Sequence, residues 1–203
     1  MAKHYSEVKN LPFKELNGIS QKTIEIHWGK LYQGYVKKWQ EIHEKLKAVD
    51  KSLANATFSD LRELKLEETF AANAIILHEA YFDILGLPAE ASAKAGGEVV
   101  EAITKDFDSF EAWQEEFEAL GLASRGWVIL SYDFNDGKLR NYIADAHNLY
   151  GIWGASPILV LDMYEHAYFI DFGSDKKAYI ESFFQNLNWE IINKKFQKIV
   201  KGR

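Results

Sequence analysis

The chain of 203 residues contains no cysteine. That absence excludes disulfides, thiolate catalysis, zinc fingers and iron–sulfur clusters. A metal site here must draw on His, Asp, Glu or water, a donor set that suits manganese or iron better than zinc. Long apolar runs are also missing, and none is long enough to cross a bilayer. The opening Met1-Ala2-Lys3-His4-Tyr5 lacks the apolar core of a secretory signal. The expectation is a soluble cytoplasmic protein with no membrane partner. A basic excess is absent too. The net charge is −6, whereas a nucleic-acid binder would carry a basic footprint. A small anionic substrate stays open, because a local basic funnel can outweigh the global sign.

What the chain does have is apolar material. At 47% hydrophobic residues it can bury a sizeable core, so disorder is excluded and one domain, or two small layers sharing a core, is expected. There is no internal repeat and no low-complexity segment. The first half has helical spacing. Ser20-Gln21-Lys22-Thr23 is a cap signal, and Ile24, His27, Trp28, Leu31, Tyr35, Trp39 and Ile42 follow on one stripe. Asp50 to Asn55 breaks the pattern. A second helical stretch runs from Leu64 to Ile84 and is stopped by Gly86 and Pro88. Together these predict an antiparallel helical hairpin.

After a loop at Ala93 to Gly97 and a shorter helix from Phe110 to Leu120, the period changes. Gly126 to Tyr132 is strand-like, Asn135-Asp136-Gly137 signals a hairpin turn, and Leu139 to Ala144 returns as the partner. Pro157 to Leu161 is a third strand. Tyr179 to Val200 is a closing helix with Phe183, Leu187, Trp189, Ile191, Ile192 and Phe196 at core spacing. The predicted class is α+β: an N-terminal helical hairpin over residues 1–90, then an α/β half over 91–203 with a three-stranded antiparallel sheet.

The stretch that carries chemistry is Asp162-Met163-Tyr164-Glu165-His166-Ala167-Tyr168, straight after Ile158-Leu159-Val160-Leu161. A buried strand ending in an acid is costly unless the acid is paired or bound to a cation. An imidazole four residues on is either an ion-pair partner or a second metal ligand. His27 and His78 each lie on an apolar helix face, where a single histidine is either a core residue or a ligand. With Asp162 and His166 they make a set of three imidazoles and one carboxylate. Such a set around a divalent or trivalent metal keeps net positive charge and favours anions. His4 and His43 sit among polar neighbours and are expected in solvent.

These residues resemble the iron/manganese superoxide dismutase family. Asp162 to Tyr168 is similar to that family's signature Asp-x-Trp-Glu-His-Ala-Tyr. Asn188-Trp189-Glu190 resembles an element of its last helix. His27-Trp28-Gly29-Lys30 with Gly34-Tyr35-Val36 resembles its first-helix motif, and His78 with Tyr81-Phe82 falls where the second helix supplies a ligand. The resemblance runs from about Leu11 to Val200. It implies iron or manganese bound by His27, His78, Asp162 and His166, with a solvent molecule as fifth ligand and superoxide as substrate. It implies conversion of superoxide to dioxygen and hydrogen peroxide.

The resemblance also implies roles around the metal. Tyr35 matches a gateway tyrosine beside the solvent; read alone it is a boundary aromatic. His147 takes the place of a family glutamine that hydrogen-bonds the solvent, since Ala74 at the alternative position is too short; read alone it is a polar loop residue. Glu165 is expected to cross a two-fold axis to the partner's His166, making a homodimer. Trp127 and Tyr164 are walls of the site or core packing. Departures are Leu31 for an entrance histidine, which removes an acceptor for the partner's Tyr168, Tyr164 and Phe82 for tryptophans, and Lys176 for an arginine. Lys30 and Lys176 could form a positive funnel. The alternative reading is a metal-binding relative with little dismutase activity. A two-histidine, one-carboxylate iron oxygenase is disfavoured by the extra imidazole.

Overall fold

The computed structural model describes residues 5–11, 13–86 and 96–202. The first half is the expected helical hairpin. Its first arm is one continuous helical rod in three parts: α1 (Gln21–Ile26), a π-helical segment His27–Tyr32, and α2 (Gln33–Ala48). Ser20 caps α1 by accepting from the Thr23 amide. The second arm, α3 (Asp60–Asp83), begins earlier than the apolar pattern suggests, because the Ser59 side chain caps it by accepting from the Arg62 amide. Apolar periodicity marks where a helix must be buried, whereas a cap marks where it begins. Pro88 and Ala93 to Ala95 lie outside the described residues.

The second half holds α4 (Glu98–Asp106), α5 (Phe110–Ala123), strands β1 (Trp127–Asp133), β2 (Lys138–Ala144) and β3 (Ala155–Asp162), then α6 (Glu165–Phe172), α7 (Lys176–Gln185) and α8 (Trp189–Lys201). The sheet is antiparallel in the order β2-β1-β3. Register places Trp127 opposite both Ala144 and Asp162, so one end of the sheet carries the indole and the carboxylate side by side. β3 lies at an edge, which tolerates Pro157 within it. Among the described residues no helix is long and apolar enough to cross a membrane.

The single closing helix expected over Tyr179 to Val200 is broken in two. Asn186, fully buried, spends its side chain on the backbone of Asn17 and on the Ser182 carbonyl. Asn188 then caps α8 by accepting from the Ile191 amide. Between them Leu187 pairs with Leu85, and the Asn188 amide donates to the Ile84 carbonyl, which ties α8 to the end of the hairpin. An asparagine pair competes with helix continuation because its side chains replace backbone partners, a local chemistry that apolar spacing does not register.

Gly126 shows how closely the site's supports are packed. A Cβ built there would stand 2.3 Å from the Ala144 carbonyl oxygen. Its own carbonyl accepts from the Met163 amide at 2.6 Å, joining β1 to the turn after β3. Gly126→Ala should therefore push β2 off β1 and cost about 1–3 kcal/mol. Urea unfolding midpoints would read this, and a midpoint equal to wild type would contradict the close approach.

Candidate metal centre

The site forms where the hairpin meets the sheet. β3 ends in Asp162, whose carboxylate is wholly buried. Its Oδ1 accepts from the Tyr164 amide at 2.9 Å. Its Oδ2 lies 3.0 Å from His27 Nε2, 3.2 Å from His166 Nε2 and 3.8 Å from His78 Nε2. His27 comes from the π-helical segment, His78 from α3 and His166 from the first turn of α6. One ligand atom from each of the four lies within 4.8 Å of the others. The expected set is thus brought together from three parts of the chain.

The electrostatics suit a cation. Burial alone would push the Asp162 carboxyl up, yet the His166 and His27 imidazoles beside it hold it well below its ordinary range. Burial pushes His27 down, opposed by Asp162, and pushes His78 well down. The result is one carboxylate faced by two imidazoles, His27 and His78, that favour the neutral, ligating form. His78 is the telling case. Its Nδ1 donates to the Ala74 carbonyl at 2.7 Å, which leaves Nε2 as a bare lone pair directed inward. That buried nitrogen has no hydrogen-bond partner. A buried acceptor left unsatisfied is expensive, and a metal ion resolves it. Atoms bound to one ion at about 2.0–2.2 Å stand at most about 4.4 Å apart. The observed spread closes to that with shifts of a few tenths of an ångström, so the residues fit such an ion.

Around this set stands an aromatic shell. Trp127 meets the His78 ring edge-on at 5.1 Å, Phe82 meets His27 at 4.8 Å, and Tyr164 stacks on His166 at 5.4 Å. His147 and Tyr35 lie at its open side. The Trp127 indole N–H donates to His147 Nδ1 at 3.0 Å. Nδ1 is therefore the acceptor, and the ring hydrogen sits on Nε2. From there His147 donates to the Tyr35 hydroxyl, 3.0 Å away. Burial lowers the His147 pKa to about 4 and raises that of Tyr35, with Asp162 adding to the latter. The two side chains are consequently a neutral donor pair at neutral pH. Phe70, which the pattern gives no reason to single out, packs on His147 at 4.5 Å beside the buried Ala74.

Other expected residues take different places. His43 is not in solvent: it is half-buried, stacks on Trp39 at 3.7 Å and sets Nε2 2.8 Å from the Glu68 carboxylate. Its polar sequence neighbours point outward while its own face meets α3. His4 lies outside the described residues. Lys176 donates to the Ser124 carbonyl at 3.0 Å, and Lys30 is exposed. Tyr168 is buried against Tyr179. Leu31 is half-buried, and its neighbour Tyr32 is fully buried, donating to Glu79 at 2.7 Å. Glu79 in turn holds Lys9 at 2.5 Å. A glutamate inside the apolar run Ile75 to Phe82 was the available signal for this buried network.

Comparison with known proteins agrees with this geometry. Residues 7–86 match the family profile described as "Iron/manganese superoxide dismutases, alpha-hairpin domain", and residues 95–195 match its C-terminal domain counterpart. A "Superoxide dismutase [Fe]" of Aquifex pyrophilus is 41% identical, covering 100% of this chain and 96% of its own length. One from Aquifex aeolicus is 41% identical over 93% and 89%. A "Superoxide dismutase [Mn] 1" of Halobacterium salinarum is 31% identical over 89% and 88%.

The His147 geometry has a pH consequence. Its pKa is about 4 in the folded chain against 6.5 ordinarily. Between those values the unfolded chain takes up a proton that the folded chain refuses. Stability from this group is present above about pH 6.5 and is lost as pH falls toward about 4. His147→Gln should remove up to about 3 kcal/mol of that loss, read from urea midpoints of metal-free protein across the window. Equal slopes for the two proteins would refute a buried neutral imidazole.

Proposed function

The chain belongs to the iron/manganese superoxide dismutase family, and we propose that His27, His78, Asp162 and His166 hold its metal while Tyr35 and His147 supply the proton path. The protein is a metal-dependent superoxide dismutase, with iron or manganese at a site of three histidines and one aspartate. The observation that carries the ligand assignment is His78 Nε2, a buried lone pair with no other partner, aimed at the group around Asp162. The bound metal supplies one-electron redox chemistry, so that one superoxide leaves as dioxygen and another, with two protons, as hydrogen peroxide.

The side chains account for selection and protons. One carboxylate against a metal of charge two or three leaves the site positive, which draws an anion. The aromatic shell excludes bulk water and keeps that charge unscreened. Protons must enter through the open side. Because Trp127 occupies Nδ1, His147 holds its hydrogen on Nε2 and gives it to the Tyr35 oxygen. Tyr35 must then turn its own hydrogen away from His147, toward solvent or substrate. Its raised pKa keeps that hydrogen in place as a donor. Leu31 offers no nitrogen at the entrance, so delivery rests on this pair.

A homodimer belongs to the same proposal. His166 is the least buried of the four, with 22% of its side chain exposed. It shares α6 with the exposed Glu165, Phe169 and Ile170. A partner seated there gives Glu165 access to the other chain's His166 and covers two apolar side chains.

His78→Ala should fold but lose bound iron or manganese, with activity falling by more than the roughly 10–100-fold typical of losing an outer hydrogen bond. His147→Ala should keep the metal, shift its reduction potential and lose about 10–100-fold in rate. Metal analysis with superoxide consumption reads both; full metal and wild-type turnover in His78→Ala would sink the assignment. A metal-loaded wild type that consumes no superoxide would instead favour a relative without dismutase chemistry.

Glu165→Ala should weaken dimerisation by about 3–5 kcal/mol if the carboxylate is buried against His166 of the partner subunit. Sedimentation at micromolar concentration tests this, and a monomeric wild type would exclude the pairing.

A further inference from the structure

The first arm of the hairpin leaves α-geometry at the point where it supplies a ligand. Its π-helical segment opens on His27 and closes on Tyr32. In an α-helix five residues advance about 500°, which would set those two side chains about 140° apart around the rod. Here both meet α3. The His27 ring lies 5.0 Å from that of His78, and the Tyr32 hydroxyl donates to Glu79, the next residue of α3, at 2.7 Å. A π-turn bonds residue i to i+5, so its wider loop absorbs one residue. His27 and Tyr32 then stand as if four apart, about 40° round an α-helix. Tyr35 gains in the same way. Eight residues after His27 it would lie about 80° away, and with one residue absorbed it comes within about 20°. Its ring is 5.4 Å from that of His78.

A π-turn is rare and needs specific support. Tyr32 is fully buried and Glu79 is 2% exposed. The Lys9 amide donates to the Tyr32 oxygen at 3.2 Å, which leaves the hydroxyl hydrogen for Glu79. The Lys9 ammonium neutralises the other carboxylate oxygen at 2.5 Å. Trp28 stacks on the Tyr32 ring at 4.2 Å, and Phe82 of α3 meets Trp28 at 5.0 Å. A buried carboxylate that loses its donor is costly, so the Tyr32 side chain is held to one direction.

We propose that the Tyr32–Glu79 hydrogen bond selects the π register and thereby aims His27 and Tyr35 at the metal. Tyr32 and Glu79 are then positioning residues for a reaction whose atoms they never touch. The inference rests on the ligand assignment above. Without this bond the rod relaxes to α register, which turns the part before Tyr32 by about 100° relative to α2. His27 Nε2, now 3.0 Å from Asp162 Oδ2, moves off the group. One carboxylate, adjoining His78 in sequence and bonded to the last residue of the segment that carries His27, thus fixes two ligands against each other.

The test uses full-length Tyr32→Phe, Glu79→Leu and Glu79→Gln. Each is loaded with iron, and its metal affinity is measured by competition with a chelator, with the optical spectrum and reduction potential alongside. Tyr32→Phe and Glu79→Leu should each lose about 10–100-fold in metal affinity, the scale of losing a group that orients a ligand. Both should also shift the spectrum and potential. Glu79→Gln keeps an acceptor for Tyr32 and should restore most of the affinity and the wild-type spectrum. Tyr32→Phe keeps the buried ring, and circular dichroism verifies its fold. Wild-type affinity, spectrum and potential in Tyr32→Phe and Glu79→Leu would overturn the proposal, even with a lower urea midpoint, because the pair would then only stabilise the hairpin. The ligand assignment fails by a different result, metal retained in His78→Ala, and that result would overturn this inference as well.

Discussion

A carboxylate taken wholly out of water must be neutralised, and Asp162 is such a group at the end of an apolar strand. Much of the second half of the fold serves that need. β1 sets Trp127 beside it, Tyr164 satisfies one oxygen from the backbone, and the Tyr179 hydroxyl donates to its carbonyl at 2.8 Å. The hairpin brings two imidazoles against it and α6 a third. His27 and His78 are themselves buried enough to resist protonation. The cluster thus reaches low energy with a metal cation at its centre rather than with protons, so a bound metal adds to the stability of the fold.

The hydrogen-bond line from Trp127 through His147 to Tyr35 follows a similar logic of limited choice. An indole nitrogen can only donate, so the acceptor side of His147 is decided by its neighbour. Direction then passes along the line without any charged intermediate group. Ala74 matters by being small: its side chain leaves room, and its carbonyl holds His78 Nδ1. Phe70, one turn earlier, fills the space against His147. The ring is held by packing on its faces and by hydrogen bonds at both nitrogens.

Around this shared centre the chain has its own arrangements. Buried Tyr32 and Glu79 hold the exposed Lys9 immediately behind His78, tying the N-terminal segment to both arms of the hairpin. The Lys9 amide also donates to the Tyr32 oxygen, so the network is anchored by backbone as well as side chain. On the opposite flank the loop after β2 starts at His147 and ends in an uncharged apolar surface. Two exposed apolar faces, one on α6 and one on this loop, lie apart from each other in the chain and in chemistry, the first beside a carboxylate and the second without charge.

Much of this was legible in the sequence. Helical spacing, the change to alternation after Gly126 and the turn around Gly137 each report a local repeat, and the two halves follow from them. Asp162 and His166 were visible because a charged pair after four apolar residues has few physical explanations. Other features depended on distances that local spacing does not encode. His43 has polar neighbours yet faces α3, and the break at Asn186 to Asn188 comes from bonds to Asn17 and Ile84, far away in the chain. The tautomer of His147 needed Trp127 at 3.0 Å, and the bare nitrogen of His78 needed the turn of α3 above it. Residue types along the chain thus determined which groups could act as ligands and donors. Only the tertiary structure decided which atoms face one another, because hydrogen-bond direction and burial arise from packing between segments far apart in the chain.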